Sequence, residues 1–417
     1  MSHAASIAPV PASDRTGSAF DLFLIWAGAN IVATTLQVGA SLAASFHVST
    51  ALGLIAVGSL AGGALVAALA PLGPRLGVPS LIAARAALGV RGAALVALFM
   101  CVTNFAWIAV NNVIAASACA GTLGAEASER WWAFGLGVLA TLVAAGGPSL
   151  VARTDRVAVP LLFALSFALT LACVRLAAPA PAPPPPAAGL SLARGLDVVI
   201  AYQVSWILMF ADYSRYTRSG RGSAIAVFCG LALTSWWLMP LGLVAAAAAG
   251  SSDPRAMLEA AGLGASGAAL MALGTLTTNF VNIYMSALAW RSVLPRSGEQ
   301  ATLWLIGGAG AALSLFSRAW LDRFADFMLL LGGALVPIGG ILAARFFLCR
   351  RPVEVSALYD PAGPYMRQGG FAVPALIAWA AGASVYFAFE SAGGTVPALL
   401  AATLAYWLVD RVRPIDG

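Results

Sequence analysis

Apolar residues in this chain gather into long runs, each near the roughly 20 residues that a helix needs to cross a bilayer. Twelve such runs lie near 20–43, 50–73, 92–122, 131–149, 156–177, 195–212, 223–250, 266–290, 300–317, 325–349, 370–389 and 393–410. They predict an all-α polytopic membrane protein of twelve transmembrane helices. An even number puts both termini on one side. The segment Pro179 to Pro186 (PAPAPPPP) is too rich in proline for a helix and predicts an extended spacer. It sets off a first group of five spans (20–177) from a second group of five (195–349), with the linker at 178–194 placed outside the cell. A tail at 1–19, a loop at 350–369 and two further helices in 370–417 complete the organisation. Five plus five is the arrangement an inverted repeat would show, although no residue-level repeat is visible.

Composition supports a lipid-facing surface. Only 10% of the 417 residues are charged and 60% are hydrophobic, whereas a soluble domain carries about 25% charged residues. The mean hydropathy is +0.88. These values exclude a secreted disulfide scaffold, a disordered chain and an ordinary cytosolic enzyme. The 23 basic residues are all arginine and form no basic run, so nucleic-acid binding is a poor reading of the net charge of +6. Arginine placement instead reports topology. With cytoplasmic termini, only Arg130, Arg175, Arg194, Arg255, Arg318 and Arg323 fall outside and the other 17 fall inside. The expectation is a bacterial-type inner (plasma) membrane protein with both ends in the cytoplasm. Met1 to Gly17 is short and polar, without the apolar core of a signal peptide. The five cysteines form no CxxC and mostly sit in apolar runs, as small buried hydrophobes do. His3 and His47 alone exclude a His-rich metal site.

Polar residues inside the spans carry the chemistry. The first span of each half is interrupted in mid-run, by Gly28-Ala29-Asn30 followed by Thr34, Thr35 and Gln37, and by Tyr202-Gln203-Val204-Ser205-Trp206. Matched interruptions in two halves point to a transport site, and small-residue helix packing is the alternative. In span 3, Asn104, Trp107 and Asn111 share one helical face. In span 8, Thr275, Thr278, Asn279, Asn282 and Ser286 form a polar stripe about three turns long. Five residues on one face favour a cavity wall over interhelical bonding, which needs one or two.

No Asp, Glu, Lys or Arg occupies a span centre, so no carboxylate proton relay is visible. Threonine and asparagine oxygens with unwound carbonyls suit a weakly held Na⁺. Amides offer a donor and an acceptor side by side, and tryptophan offers a stacking face. The pattern therefore fits a small, flat, neutral, hydrogen-bonding solute, with Asn30, Thr34, Trp107, Asn111, Tyr202, Gln203, Ser205, Asn279 and Asn282 as candidate contacts. A membrane-embedded enzyme would need Asp or His clusters near the interface, and no His pair is present. A channel would need a repeated filter or a charged ring. In span 10, Pro337 with Gly332, Gly333, Gly339 and Gly340 reads either as a hinge or as tight packing.

Three motifs resemble the nucleobase–cation symporter-1 family, the purine/cytosine permeases. They are Gly77-Val-Pro79 leading to Ala84-Arg85 and Gly89-Val-Arg91-Gly92; Ala211-Asp212-Tyr213-Ser214-Arg215-Tyr216; and Thr277-Thr278-Asn279 with Tyr284 and Ser286. The likeness covers roughly residues 20–350. It implies a leucine-transporter-type fold with alternating access, spans 1 and 6 broken at the centre, and spans 3 and 8 lining the site. Trp107 would stack on the substrate ring, Tyr202, Gln203 and Ser205 would contact it from span 6, and Asn279 would stand beside it. Thr277 and Thr278, with carbonyls from Ala29 to Val32, would hold sodium. The family usually has an aromatic residue at the position of Gln203, so one stacking plate is missing here. Ser205-Trp206 and Thr277-Thr278-x-Phe280 resemble the hydroxymethylpyrimidine branch, whereas span 1 and Trp107 resemble cytosine and purine permeases. The resemblance implies a permease that imports cytosine or a related nucleobase with Na⁺ or H⁺ and has no cofactor. Hydroxymethylpyrimidine, purine, allantoin and hydantoin are alternative substrates. The expected partners are the heterocycle and the lipid bilayer, with the monomer as the working unit. Arg85, Asp212 and Arg215, at span ends, are read as gating or structural.

Overall fold

The computed structural model describes residues 6–123, 128–146, 148–176, 189–316 and 323–413. The predicted Pro-rich spacer, Pro179 to Pro186, falls outside the described residues. Helices stand at all twelve predicted runs. Span 1 is Ala19–Asn30 with Ala33–Ala43, span 2 Val48–Leu69, span 3 Val90–Thr122, span 4 Glu129–Ala145, span 5 Pro148–Leu176 and span 6 Leu192–Val204. Span 7 is Gly220–Phe228 with Thr234–Ala249, span 8 Gly264–Val293, span 9 Glu299–Ser314, span 10 Phe324–Ala343, span 11 Val373–Ala388 and span 12 Thr395–Val412. Among the described residues, seven helices are long and apolar enough to cross a membrane, or nine if each of two bent pairs is one span. Spans 4 and 9 fall short at 17 and 16 residues. Span 8 has the length, 30 residues, but carries the polar stripe.

The packing repeats itself between the halves. Span 2 lies along span 6, and the second part of span 7 lies along the second part of span 1. Spans 3 and 8 run against each other, as do spans 4 and 9. This is the leucine-transporter-type five-plus-five arrangement, with spans 11 and 12 packed outside on span 10. The contact between spans 1 and 7 is very close. A Cβ at Gly39 would lie 1.8 Å from the carbonyl oxygen of Met239, and one at Gly242 would lie 1.9 Å from that of Leu36. In span 10, a Cβ at Gly340 would lie 2.8 Å from the carbonyl oxygen of Leu399, and one at Gly333 would lie 2.7 Å from the Phe387 ring. Tight packing accounts for these two glycines.

Span 1 breaks where sequence and packing disfavour a helix together. Ile31 and Val32 are β-branched, and Val32 is extended at φ −142°, ψ 160°. The two parts meet at 52°. Span 6 stops at Val204 and continues as a single tighter turn, Ile207–Met209. Span 7 carries a wide π-helical turn at Cys229–Leu233.

Ahead of span 1, the stretch from Ile7 to Gly17 crosses one end of the bundle. Val10 N–H donates to the Gly77 carbonyl at 2.8 Å and Gly17 N–H to the Tyr216 carbonyl at 2.9 Å. Arg15 Nη1 donates to the Pro74 carbonyl at 2.5 Å, and Tyr359 Oη donates to the Ile7 carbonyl at 2.6 Å. Gly77 adopts the left-handed region at φ 71°, and a Cβ there would collide with the Arg15 guanidinium. The strap thus joins the connections between spans 2 and 3, 6 and 7, and 10 and 11.

Candidate functional site

The break in span 1 frees the carbonyls of Gly28, Ala29 and Asn30 from helical bonding. Three hydroxyls meet them. Thr277 Oγ1 donates to Gly28 at 3.3 Å, Thr278 Oγ1 to Ala29 at 2.7 Å and Thr35 Oγ1 to Asn30 at 2.5 Å. Thr277 also reaches the Gly274 carbonyl at 3.0 Å. A Cβ at Gly274 would lie 3.1 Å from Val32 Cα, so glycine lets span 8 approach the break. Thr277, Thr278, Ala29 and Val32 therefore converge where the interrupted helix crosses span 8. The donor set is hydroxyl and carbonyl oxygen, the kind that suits a hard cation.

Beside this crossing lies a cavity lined by Thr34 from span 1, Met100, Asn104, Trp107 and Asn111 from span 3, Tyr202, Ser205, Trp206 and Met209 from span 6, and Thr278 and Asn282 from span 8. Its volume is about 20 Å³, room for about one water. Among the described residues, no charged side chain lines it. Trp107 is edge-packed against Tyr202 at 5.9 Å and against Phe327 at 5.3 Å between ring centroids. The hydroxyl of Tyr202 meets Thr35 Oγ1 at 2.6 Å.

The structure brings Thr34, Trp107, Asn111, Tyr202, Ser205 and Asn282 together around this cavity, with Thr278 from the predicted cation set. It directs three other candidate contacts elsewhere. Asn30 Nδ2 donates to Thr234 Oγ1 and Ser235 Oγ, each at 2.7 Å, and to the Leu231 carbonyl at 3.1 Å. That carbonyl belongs to the π-helical turn of span 7, where wide turns leave acceptors free. Asn30 thus ties the broken span to its neighbour. Asn279 bonds to span 3 behind the cavity wall, through Asn112 Oδ1 at 2.8 Å and the Ile108 carbonyl at 3.4 Å. Gln203 is fully buried, and a Cβ at Gly62 of span 2 would lie 2.6 Å from Gln203 Cβ. Neither end of its amide has a hydrogen-bond partner among the described residues.

An unsatisfied buried amide costs about 1–3 kcal/mol. Gln203→Met is therefore expected to raise the melting temperature and to leave ligand affinity within about twofold. A differential scanning measurement with a binding assay checks both, and a large loss of binding would put this side chain in the site.

The stripe on span 8 divides its labour. Thr278 and Asn282 line the cavity, whereas Thr275 donates to the Asn111 carbonyl at 3.1 Å and Ser286 accepts from Asn104 Nδ2 at 2.9 Å. Spacing puts all five residues on one face, but only contact with span 3 decides which become wall and which become fastening. Asn104, Met100, Trp206 and Met209 join the lining without having been singled out as contacts. Asn104 was visible on the span 3 face, and Trp206 in the span 6 interruption.

The span-end residues act as fasteners. Asp212 lies beyond the last turn of span 6, and its Oδ1 accepts from Ser80 N–H at 2.9 Å. Ser80 Oγ in turn accepts from Ala211 N–H at 2.8 Å. Burial pushes the Asp212 carboxyl up to about 6, against the Ser80 N–H and Arg215, which act to lower it. Arg85 donates to the Leu358 carbonyl at 2.7 Å and the Ser292 carbonyl at 2.9 Å, joining the 10–11 connection to the end of span 8. Burial draws its guanidinium down from the usual value. Arg215 packs on the Tyr216 ring at 4.8 Å and donates through Nε to the Asp212 carbonyl at 3.2 Å.

Comparison with known proteins gives a consistent result. A family model described as permease for cytosine/purines, uracil, thiamine, allantoin matches residues 9–409. A protein of Bacillus subtilis (strain 168) named as a purine-cytosine permease, YxlA, is 25% identical over 375 residues, covering 85% of this chain and 82% of that protein. The cytosine permease of Escherichia coli (strain K12) is 25% identical over 349 residues, covering 83% and 81%. Among solved structures, Mhp1, a nucleobase-cation-symport-1 family transporter in a closed conformation with bromovinylhydantoin bound, superposes with a TM-score of 0.84 at 20% identity, covering 99% of this chain and 97% of that one. A Na⁺-coupled sialic acid symporter in a substrate-bound outward-open state gives 0.63 at 11% identity, covering 95% and 91%.

Proposed function

The chain belongs to the permease family for cytosine/purines, uracil, thiamine and allantoin, and from that premise we propose that it imports cytosine or a closely related nucleobase, coupled to Na⁺. It is a multi-pass membrane transporter that works by alternating access, not an enzyme. The observation that carries the substrate reading is the uncharged cavity at the break of spans 1 and 6, lined by two tryptophans and three asparagines. A flat ring stacks on Trp107, and its polar edge meets the amides of spans 3 and 8. The relatives named for cytosine support this ring class.

Sodium is favoured over a proton by the donor set. Thr277 and Thr278 converge on carbonyls of the broken span 1, and no carboxylate lines the cavity to carry a proton. Sodium binding at this crossing draws span 8 and the broken helix together, which couples the ion to the shape of the adjoining cavity. The arginine bias supports cytoplasmic termini, and a cavity lined from one chain supports the monomer as the working unit.

Uptake of radiolabelled cytosine into proteoliposomes tests the proposal. An inward Na⁺ gradient is expected to drive accumulation that a proton gradient alone does not. Thr278→Val, which keeps the shape and removes the oxygen, is expected to cut the Na⁺ stimulation about tenfold, close to the 1.4 kcal/mol of one good ligand. Uptake indifferent to both gradients would sink the coupling. A panel with uracil, adenine, hypoxanthine, hydantoin, allantoin and hydroxymethylpyrimidine ranks the alternative substrates.

A further inference from the structure

We propose that Asn279 selects the transported ring without touching it, by fixing the amides of Asn111 and Asn282 so that the asparagine wall turns its oxygens to the ring and takes an exocyclic amino group. The inference rests on the nucleobase reading above and names the edge of the ring that the wall recognises.

The orientation of each amide follows from groups that can bond in one sense only. Asn279 Nδ2 faces the Ile108 carbonyl at 3.4 Å, and a backbone carbonyl only accepts. The same nitrogen donates to Asn112 Oδ1 at 2.8 Å. Asn112 is itself held, since its Nδ2 donates to Ser314 Oγ at 2.9 Å while the Ser314 hydroxyl donates to the Gly310 carbonyl at 2.9 Å. Asn279 Oδ1 is therefore turned toward the cavity wall. There it accepts from Asn111 Nδ2 at 3.3 Å and from Asn282 Nδ2 at 3.4 Å. Each of the two nitrogens thus commits an N–H to Asn279, which sets which end of its amide is which. Asn111 Oδ1 is left buried with no partner, on a residue that lines the cavity.

Asn104 follows the same logic. Its Nδ2 donates to Ser286 Oγ at 2.9 Å, and the Ser286 hydroxyl is committed to the Asn282 carbonyl at 2.8 Å. The neighbouring hydroxyls have also given up their hydrogens. Ser205 donates to the Tyr202 carbonyl at 2.7 Å, and Thr278 donates to Ala29 at 2.7 Å. The amide oxygens are thus the groups whose orientation toward the ring these bonds fix. Three amide oxygens remain, and two of them belong to side chains anchored on one shared atom. A ring carbonyl directed there meets lone pairs on lone pairs. An amino group brings two N–H bonds from one nitrogen, matching the paired oxygens. The indole N–H of Trp206, another lining residue, is also unpartnered among the described residues and is a donor for a ring acceptor.

Equilibrium binding to the purified full-length protein in lipid nanodiscs, with Na⁺ present, tests this on matched pairs: cytosine against uracil and adenine against hypoxanthine. The amino member of a pair that binds is expected to be favoured by about 100-fold or more, since a site built for an N–H rejects an analogue lacking it strongly. In Asn279→Ala the amides of Asn111 and Asn282 are free to turn, and that ratio is expected to fall below about tenfold. In Asn279→Asp, burial keeps the acid protonated. It donates where Nδ2 did and accepts from the same two amides, so the ratio is retained. A purely structural role for Asn279 would weaken both members of a pair alike and leave the ratio intact, which overturns the proposal. Equal or tighter binding of the oxo member by the unaltered protein overturns it even if the alanine variant does not fold. If none of the four rings binds, the nucleobase reading fails and this inference fails with it, whereas binding led by the oxo rings defeats the inference alone.

Discussion

Trp107→Ala is expected to weaken binding of cytosine by about 100-fold while the protein still inserts and purifies. Stacking of a base on an aromatic plate contributes about 1–3 kcal/mol when measured by alanine substitution. Trp107 is also the element that gives the site its floor. It leans on Tyr202, Phe324 and Phe327 at 5.9, 6.4 and 5.3 Å, so its removal takes a plate from the ring and one aromatic contact from each of those neighbours. Trp107→Phe keeps the plate and is expected to lose less than about tenfold. Radioligand binding to both variants, alongside a thermal melt, checks the pair. Unchanged affinity in Trp107→Ala would put the solute in another cavity.

Gly39→Ala and Gly242→Ala are each expected to abolish the folded transporter. The added methyl would sit 1.8 Å from the Met239 carbonyl oxygen in the first case and 1.9 Å from that of Leu36 in the second. Both obstacles are backbone, so no rotamer change relieves them. Spans 1 and 7 must separate, which takes the Asn30 anchor on Thr234 and Ser235 with them. Overpacking ordinarily costs about 1–3 kcal/mol, and a backbone collision at the crossing that holds the broken helix exceeds that. Size-exclusion profiles and melting curves provide the measurement. Gly308→Ala is the control, because a Cβ there meets nothing within 4 Å. It is expected to be neutral or slightly stabilising, in line with a helix preference of about 1 kcal/mol for alanine over glycine.

The twelve spans were legible because lipid demands a continuous apolar run for every crossing, and local composition alone carries that signal. The inward face of span 3 was legible too, since Asn104, Trp107 and Asn111 fall at helical spacing in an otherwise apolar helix. The places where the reading stopped have a common physical cause. The direction of Asn30 depends on a π-helical turn about 200 positions later in the chain. Gln203 packs against Gly62 of span 2, about 140 positions earlier in the chain. Met100 and Met209 line the site, yet a methionine in an apolar run carries no mark of its place. The polarity of the asparagine wall depends on the Ile108 carbonyl and on Ser314, neither of which stands near Asn279 in sequence. The strap before span 1 has no periodicity to reveal it.

That strap bears on how this end of the bundle can move. One stretch of about a dozen residues is fastened to Pro74, Gly77, Tyr216 and Tyr359, which belong to three connections between different pairs of helices. Displacing any one connection drags on the stretch and so on the other two. Separation of this end is consequently cooperative. The three connections part in a single concerted step or stay joined, and partially unlatched arrangements with one connection displaced are disfavoured.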